Sequence, residues 1–360
     1  MRRLSGDSGA VAVIVAILLP VVLLGFGALV LDVGSLYAEK RQLQNGSDAA
    51  ALAIAASCAK GSCTDPGTGA PDSTAQTYGN ANDNSGGANV ERVCGLGAGL
   101  IACPVGETIP SGLGYVRVRL QTGSVSGPGV MPPLLGRALG SSYDGTTVHA
   151  VSTVAWGVPK TIASALPLTV STCEVPDVSS LPQLTSSSTV ADLLGAMPTA
   201  TESVIYLHDT TGASGCPAGP SGGDLPGGFG WLSSTSGCNA VTDDGIWYSD
   251  KTGVPPPSVC DPSDFSSLIG KVIYIPVFIA TNGLNGSNGS YEMGAPAAFL
   301  LTGYSVVGQY TYKSIITGKY PCSGQATCIS GFFVNAPYGG GGELTSGASN
   351  GVLSVQLVSD

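Results

Sequence analysis

The strongest hydrophobic pattern lies near the start of the chain, at Ala10–Leu31. These 22 residues contain no charge, side-chain amide or hydroxyl. As a helix they would extend roughly 33 Å, enough to cross a bilayer core of about 30 Å. Pro20 removes one backbone hydrogen bond at mid-span, which a membrane helix tolerates when neighbouring groups adjust. The pattern predicts a transmembrane anchor bounded by Ala10 and Leu31.

A cleaved secretory signal is the alternative interpretation of this stretch. Signal peptides have a shorter apolar region, about 7–15 residues, followed by a small-residue cleavage site. Here the run is longer and leads into Asp32-Val33-Gly34 without a processing loop. We therefore expect a retained span, with residues 1–9 as a cytoplasmic leader.

The apolar run is followed by a predicted helical stem at Asp32–Ser57. Ala, Leu, Gln, Glu, Lys and Arg, which favour helices, dominate this segment. An apolar stripe recurs at spacings of seven and four, formed by Leu36, Leu43, Ala50 and Ile54. Two interpretations stay open. The stripe packs on the helix's own domain, or it packs against helices of other membrane-anchored subunits. Gly46 marks a possible bend.

Beyond the stem the hydrophobic runs are short and separated by Gly, Pro, Ser and Asn. Residues 64–89 lack apolar periodicity and are predicted to be a surface loop. Period-two or apolar runs predict strands at 115–120, 146–156, 166–173, 204–208, 271–279, 297–304, 305–312, 331–334 and 352–358. The predicted fold is α+β. A transmembrane helix continues into a stem and a small α+β module (32–157), followed by a mainly antiparallel, disulfide-bonded β-rich domain (158–360).

Charge excludes one class of partner. The chain has 14 Lys and Arg against 24 Asp and Glu, a net charge of −10. A nucleic-acid-binding protein needs a basic face to neutralise phosphates, so no nucleic-acid partner is expected.

All ten cysteines follow the span, and their even number favours disulfides in an oxidising compartment. That places the N-terminus in the cytoplasm and the C-terminal part outside the membrane. Short separations favour the pairs 58–63, 94–103 and 322–328, which leaves the other four to pair among themselves. The candidates are Cys58, Cys63, Cys94, Cys103, Cys173, Cys216, Cys238, Cys260, Cys322 and Cys328.

Catalytic, cofactor and metal sites are not indicated. No cysteine pair has the C-x2-C spacing of zinc sites, and the only histidines are His149 and His208. His149 has no Cys, Asp or Glu at ligand spacing, and His208 and Asp209 would point to opposite faces of a strand. We expect a protein that is not an enzyme and holds no cofactor.

The order of features in residues 9–57 resembles the N-terminal signature of TadE/TadG-like proteins of the tight-adherence (Flp) pilus systems. The features are Gly9-Ala10, the apolar run with Pro20, Asp32-Val33-Gly34, Tyr37, the segment 41–45 (RQLQN) and the segment 48–52 (DAAAL). Prepilins cut after a comparable glycine carry a glutamate where this chain has Ile14, so the resemblance is to the TadG-like branch. It implies a minor pilin-like or assembly component, with the bilayer and other pilus subunits as partners.

A second function is kept as an alternative, a membrane-tethered module that recognises glycan, peptide or cell wall. Phe229, Trp231, Trp247 and Tyr248 are the aromatic residues that such a surface would use, and packing in a core is the competing role for them.

Overall fold

The computed structural model describes residues 7–61, 63, 71–84, 87–106, 110–124, 127–133, 144–185, 187–196, 201–207, 228–234, 237–250, 254–282 and 289–358. The chain divides into two compact units. The first takes its described residues from Met1–Pro110, Gly114–Ala155 and Leu357–Asp360, and the second from Ser111–Leu113 and Trp156–Gln356.

The first unit is a long helix with a smaller α+β layer. Its elements are α1 (Asp7–Cys58), α2 (Pro71–Asn82), β1 (Ala88–Leu96), β2 (Gly114–Ser124), β3 (Gly127–Pro128) and the first seven residues of β4 (His149–Pro159). Strand β2 pairs antiparallel with β1 and β3 and is also a neighbour of β4. A β-bulge interrupts β1 between Val90 and Arg92.

Helix α2 corrects the prediction of a surface loop over residues 64–89. It begins at Pro71, a residue favoured in a first helical turn, and carries Asp72 where a negative charge suits the helix dipole. Its sequence has only a weak apolar stripe because it packs on α1 with small residues. Residues 64–70 lie outside the described residues.

The second unit is β-rich. Its elements in chain order are β5 (Thr161–Ser164), β6 (Leu168–Ser171), α3 (Val190–Ala196), β7 (Ser203–Tyr206), β8 (Phe229–Trp231), β9 (Ala240–Asp243), β10 (Trp247–Ser249), α4 (Pro262–Ser266), β11 (Val272–Asn282), β12 (Ser290–Ser305), β13 (Thr311–Tyr312), β14 (Cys328–Val334), β15 (Ala336–Pro337), β16 (Leu344–Thr345) and β17 (Val352–Val358), whose last two residues belong to the first unit.

The main sheet of this unit has the order β7-β14-β12-β11-β6-β8, and β10 and β13 also pair with β12. Most pairs are antiparallel, but β11 pairs in parallel with β6, and β15 in parallel with β17. The sheets are therefore mixed. The prediction of a mainly antiparallel domain is confirmed in part.

Strand β12, with 16 residues, lies near the centre of the main sheet and is covered on both faces. Alternate residues enter two separate cores, with Ala297, Phe299 and Leu301 in one and Ala298 and Leu300 in the other. Because successive side chains point to opposite faces, a strand covered on both sides needs apolar residues at every position. That requirement hides the period-two pattern in the sequence.

One of these cores is built around aromatic rings. Trp231 packs edge-to-face against Phe229 at 5.3 Å and against Phe265 at 6.0 Å between ring centroids. Tyr310 packs on Phe265 at 5.3 Å and donates its hydroxyl hydrogen to the Cys260 carbonyl. Such aromatic pairs contribute about 0.5–1.5 kcal/mol each beyond the area that they bury.

Four disulfides are present among the described residues. They join Cys58–Cys63, Cys94–Cys103, Cys238–Cys260 and Cys322–Cys328. The three short-range pairs are those predicted from spacing. Cys173 is also disulfide-bonded, and Cys216 lies outside the described residues.

Candidate functional site: the two halves of helix α1

The first half of α1 exposes its apolar side chains on every side. Val13, Ile17, Val21, Leu24 and Phe26 are each at least 60 % exposed within the chain. In Ala12–Cys58 the most apolar 18-residue window has a mean hydropathy of 2.9 and only 6 % of it is buried. Among the described residues this is the one helix whose length and composition suit a membrane span.

The residues chosen to define the anchor lie within this surface. Pro20 is exposed inside the continuous helix, and Leu31 is 53 % exposed. Ala10 belongs to α1, but its side chain is outside the described set. A helix that is apolar on all faces and almost entirely exposed within its own chain needs another apolar surface or a bilayer to leave water.

The second half of α1 is packed on its own unit. Leu43 and Ala50 are fully buried, Ile54 is 2 % exposed, and Leu36 is partly exposed. Helix α1 lies against α2 and β2. The described structure thus uses three members of the predicted stripe within their own unit. Contact of the stripe with partner helices stays a prediction, because no partner chain is present.

Gly46 brings the two helices together rather than bending α1. A Cβ at Gly46 would lie 3.1 Å from the Gly79 Cα, and one at Gly79 would lie 2.9 Å from the Ala88 Cβ. Both distances are shorter than normal contacts between side-chain carbons, so the crossing requires residues without side chains. The helix runs unbroken through Gly46.

Polar residues of the stem attach α1 to the strands beside it. The Gln44 amide donates to the Val151 carbonyl at 3.0 Å and to Asp48 Oδ1 at 2.8 Å, and the Ser152 hydroxyl donates to the same Asp48 oxygen. Ser152 is 4 % exposed. The sequence analysis assigned no role to Gln44 or Asp48. The polar side chains of Gln42, Gln44 and Asp48 on a helix that packs on its own module could have indicated such contacts.

Gln42 has a related role on an adjoining surface. Its side-chain oxygen accepts a hydrogen bond from the backbone N–H of Asn84 at 2.9 Å. Asn84 lies two residues beyond the last residue of α2. The two glutamines of the stem therefore contact two different parts of the module.

Tyr37 is the most exposed large apolar side chain of the stem. It is 68 % exposed, and Val33 one turn earlier is 43 % exposed. Both lie between the apolar half of α1 and the first fully buried residues of its second half. This short segment separates the proposed membrane anchor from the folded module.

The aromatic residues considered for ligand recognition divide into two groups. Trp231 is fully buried with its Nε1–H donating to the Val254 carbonyl at 3.1 Å, and Phe229 is 1 % exposed. Both belong to the aromatic core. Trp247 is 44 % exposed on β10, and Tyr248 donates its hydroxyl to Asp243 at 3.2 Å. Trp231 and Phe229 are therefore core residues rather than part of an exposed recognition surface.

Titratable groups of the described residues do not assemble a reactive centre. His149 contacts Glu91 at 3.1 Å, and Glu91 also pairs with Arg119 at 3.6 Å. Among the described residues no three His, Cys, Asp or Glu side chains are placed to hold a metal ion, and every described cysteine is in a disulfide. His208 is outside the described residues.

One comparison with known proteins finds a similarity that falls within α1. Residues 9–57 match a family model described as putative Flp pilus-assembly TadE/G-like. The match begins at the apolar half and ends one residue before the last residue of the helix. No curated protein and no solved structure matches the chain.

Proposed function

We propose, from the TadE/G-like segment at residues 9–57, that this chain is a single-pass membrane component of a Flp-type pilus-assembly system. The observation that carries the proposal is the coincidence of that segment with one helix whose most apolar 18-residue window is only 6 % buried within its own chain. A role in pilus assembly follows from the family. A minor pilin-like role in the TadG-like branch is the finer part of the proposal.

Residues 10–31 would lie in the bilayer, with residues 1–9 in the cytoplasm and both folded units outside. The disulfides support this orientation, because they persist in oxidising compartments and are rare in the cytosol. Tyr37 would then lie about 9 Å beyond Leu31 along the helix, near the headgroups where tyrosine is enriched.

Within this arrangement the partner-facing surface of α1 is its exposed part. Leu43 and Ile54 serve the core of the first unit, so a partner helix would reach them only if that packing opened. Val33 and Tyr37 are accessible next to the membrane. We therefore propose that other pilus subunits contact α1 at this segment and along the span.

A photo-crosslinking amino acid at Tyr37 in native membranes tests the proposal. Adducts with other pilus-system subunits are expected at Tyr37 and absent at Tyr115, a tyrosine of the same unit that is 5 % exposed. Alkaline carbonate should leave the chain in the membrane fraction. Release by carbonate would reject the anchor, and adducts with lipid alone at Tyr37 would reject the assembly role.

The tethered binding module would keep the same anchor but need an exposed recognition surface. Of the four aromatic residues suggested for it, two are in the core, and Tyr248 is held by Asp243. No described feature of these four favours the module over the assembly component.

A further inference from the structure

The turn between β13 and β14 carries an unusual concentration of positive charge for this acidic chain. Lys313 and Lys319 are exposed in its first half, and the Lys319 carbonyl accepts a hydrogen bond from Ser314 N at 2.9 Å. Lys313 Nζ lies 5.6 Å from the centroid of the Tyr320 ring, which is 53 % exposed. Lys313, Lys319 and Tyr320 are called the lysine–tyrosine patch below.

A third lysine, Lys271, lies immediately before strand β11. The backbone of Lys271 pairs with Leu301, and the next residue, Thr302, accepts the Ile315 N–H of the turn at 3.1 Å. Gly270 approaches Ile315, whose side chain is 45 % exposed. Lys271 is itself exposed.

None of these three lysines has an ion-pair partner in the described part of the chain. By contrast, Lys160 of the same unit pairs with Glu343 at 2.8 Å. An unpaired ammonium group keeps its full charge available to a ligand, whereas a paired one must first give up its carboxylate. The lysine–tyrosine patch is therefore an open cationic surface on a chain of net charge −10.

The turn that carries the patch is fixed by hydrogen bonds between Ser314 and the Glu202 carboxylate. Ser314 is 1 % exposed, and its hydroxyl lies 2.8 and 2.9 Å from the two oxygens of Glu202 while accepting Ile316 N at 3.1 Å. Thr302 donates its hydroxyl to the same Glu202 carboxylate. Rigid presentation lowers the entropy lost on binding.

We propose that the lysine–tyrosine patch binds an anionic glycan, a chain of sugar rings that carry carboxylate or phosphate groups. The two ammonium groups would pair with the anionic substituents, and the Tyr320 ring would pack on the apolar C–H face of a sugar. This site belongs to the second unit, and the proposal does not depend on the chain's role in a pilus.

A glycan fits this surface better than other polyanions do. An extended nucleic acid would be repelled by the acidic side chains of the rest of the chain. An anionic group on a sugar is local and needs only two or three cations. A membrane surface attracts clusters of basic residues but makes no use of the exposed Tyr320 ring beside Lys313.

The test uses the full chain held in phosphatidylcholine nanodiscs and captured on a biosensor, with polygalacturonate as the probe. Binding is expected for polygalacturonate, to weaken as salt is raised, and to be absent for neutral pullulan. The Lys313→Gln/Lys319→Gln variant should bind at least about tenfold more weakly, since each lost charge-assisted bond weakens binding by about that factor.

Matched variants separate the patch from general charge and folding. Lys313→Arg/Lys319→Arg should retain binding, and Lys160→Gln should leave it unchanged. Tyr320→Leu should weaken binding, while Tyr206→Leu, at a site 41 % exposed in the same unit, should not. An unchanged melting temperature in each variant shows that the turn is intact.

Four results would overturn the proposal. They are no binding of polygalacturonate, equal binding by the lysine double variant, capture of phosphatidylglycerol vesicles without binding of the glycan, or binding only of a second nanodisc-held copy of this chain.

Discussion

Gly46 and Gly79 lie so close that a Cβ on either residue would press on the other helix or the strand behind it. This contact sets the distance between α1 and α2, and through it the position of the module on the stem. In the membrane-anchored arrangement proposed above, this crossing determines how firmly the first folded layer is attached to the helix.

Gly79→Leu should destabilise the first unit by about 1–3 kcal/mol, because the side chain would be forced against Ala88 and Leu120. Thermal unfolding followed by circular dichroism measures the change. Gly34→Leu is the matched control, since nothing lies within 4 Å of a Cβ at that helical position. Equal melting temperatures for the two variants would contradict the close crossing.

Asp48→Ala should cost about 1–3 kcal/mol, because the buried Ser152 hydroxyl and the Gln44 amide both lose an acceptor. Urea unfolding of Asp48→Ala, Ser152→Ala and the double variant forms a thermodynamic cycle. We expect a coupling free energy above about 0.5 kcal/mol. Additive effects would mean that the two side chains do not interact in solution.

The Cys238–Cys260 disulfide closes the longest loop among the four bridges described, with a separation of 22 residues. Cys238→Ser/Cys260→Ser should lower the stability of the second unit by about 2–4 kcal/mol through the entropy gained by its unfolded state. Cys322→Ser/Cys328→Ser, with a separation of 6, is the comparison and should cost less. Limited proteolysis of the second unit reports the difference, and the reverse order would argue against this explanation.

Alkaline pH should weaken the second unit through its buried tyrosines. Burial raises the pKa of Tyr304 from 10.0 to about 12 and raises that of Tyr291 as well. The unfolded chain therefore loses these protons at lower pH than the folded chain does. The stability is complete below about pH 10 and falls as pH rises toward 12, by at most about 1.4 kcal/mol per pH unit for each tyrosine.

Tyr304→Phe keeps the ring but removes the titrating hydroxyl, so its stability should fall less steeply over this range. Denaturant midpoints measured at several pH values for both proteins give the two slopes. Identical slopes would show that Tyr304 has the same pKa in the folded and unfolded states.

Several features could be predicted from the sequence because they depend on local pattern. The apolar helix, the stem, most strands of the second unit and the three short-range cysteine pairs follow from periodicity, helix propensity and loop length. The resemblance at residues 9–57 had the same origin, since it consists of residue types in a fixed order.

Other features were decided only by tertiary structure. Helix α2 was predicted as a loop because its stability comes from fitting Gly79 against Gly46, and a glycine favours loops when its surroundings are unknown. The burial of Trp231 and the exposure of Tyr320 likewise depend on which distant strands cover them. Local chemistry determines what a segment can form, but long-range packing determines which of its faces remains in contact with water.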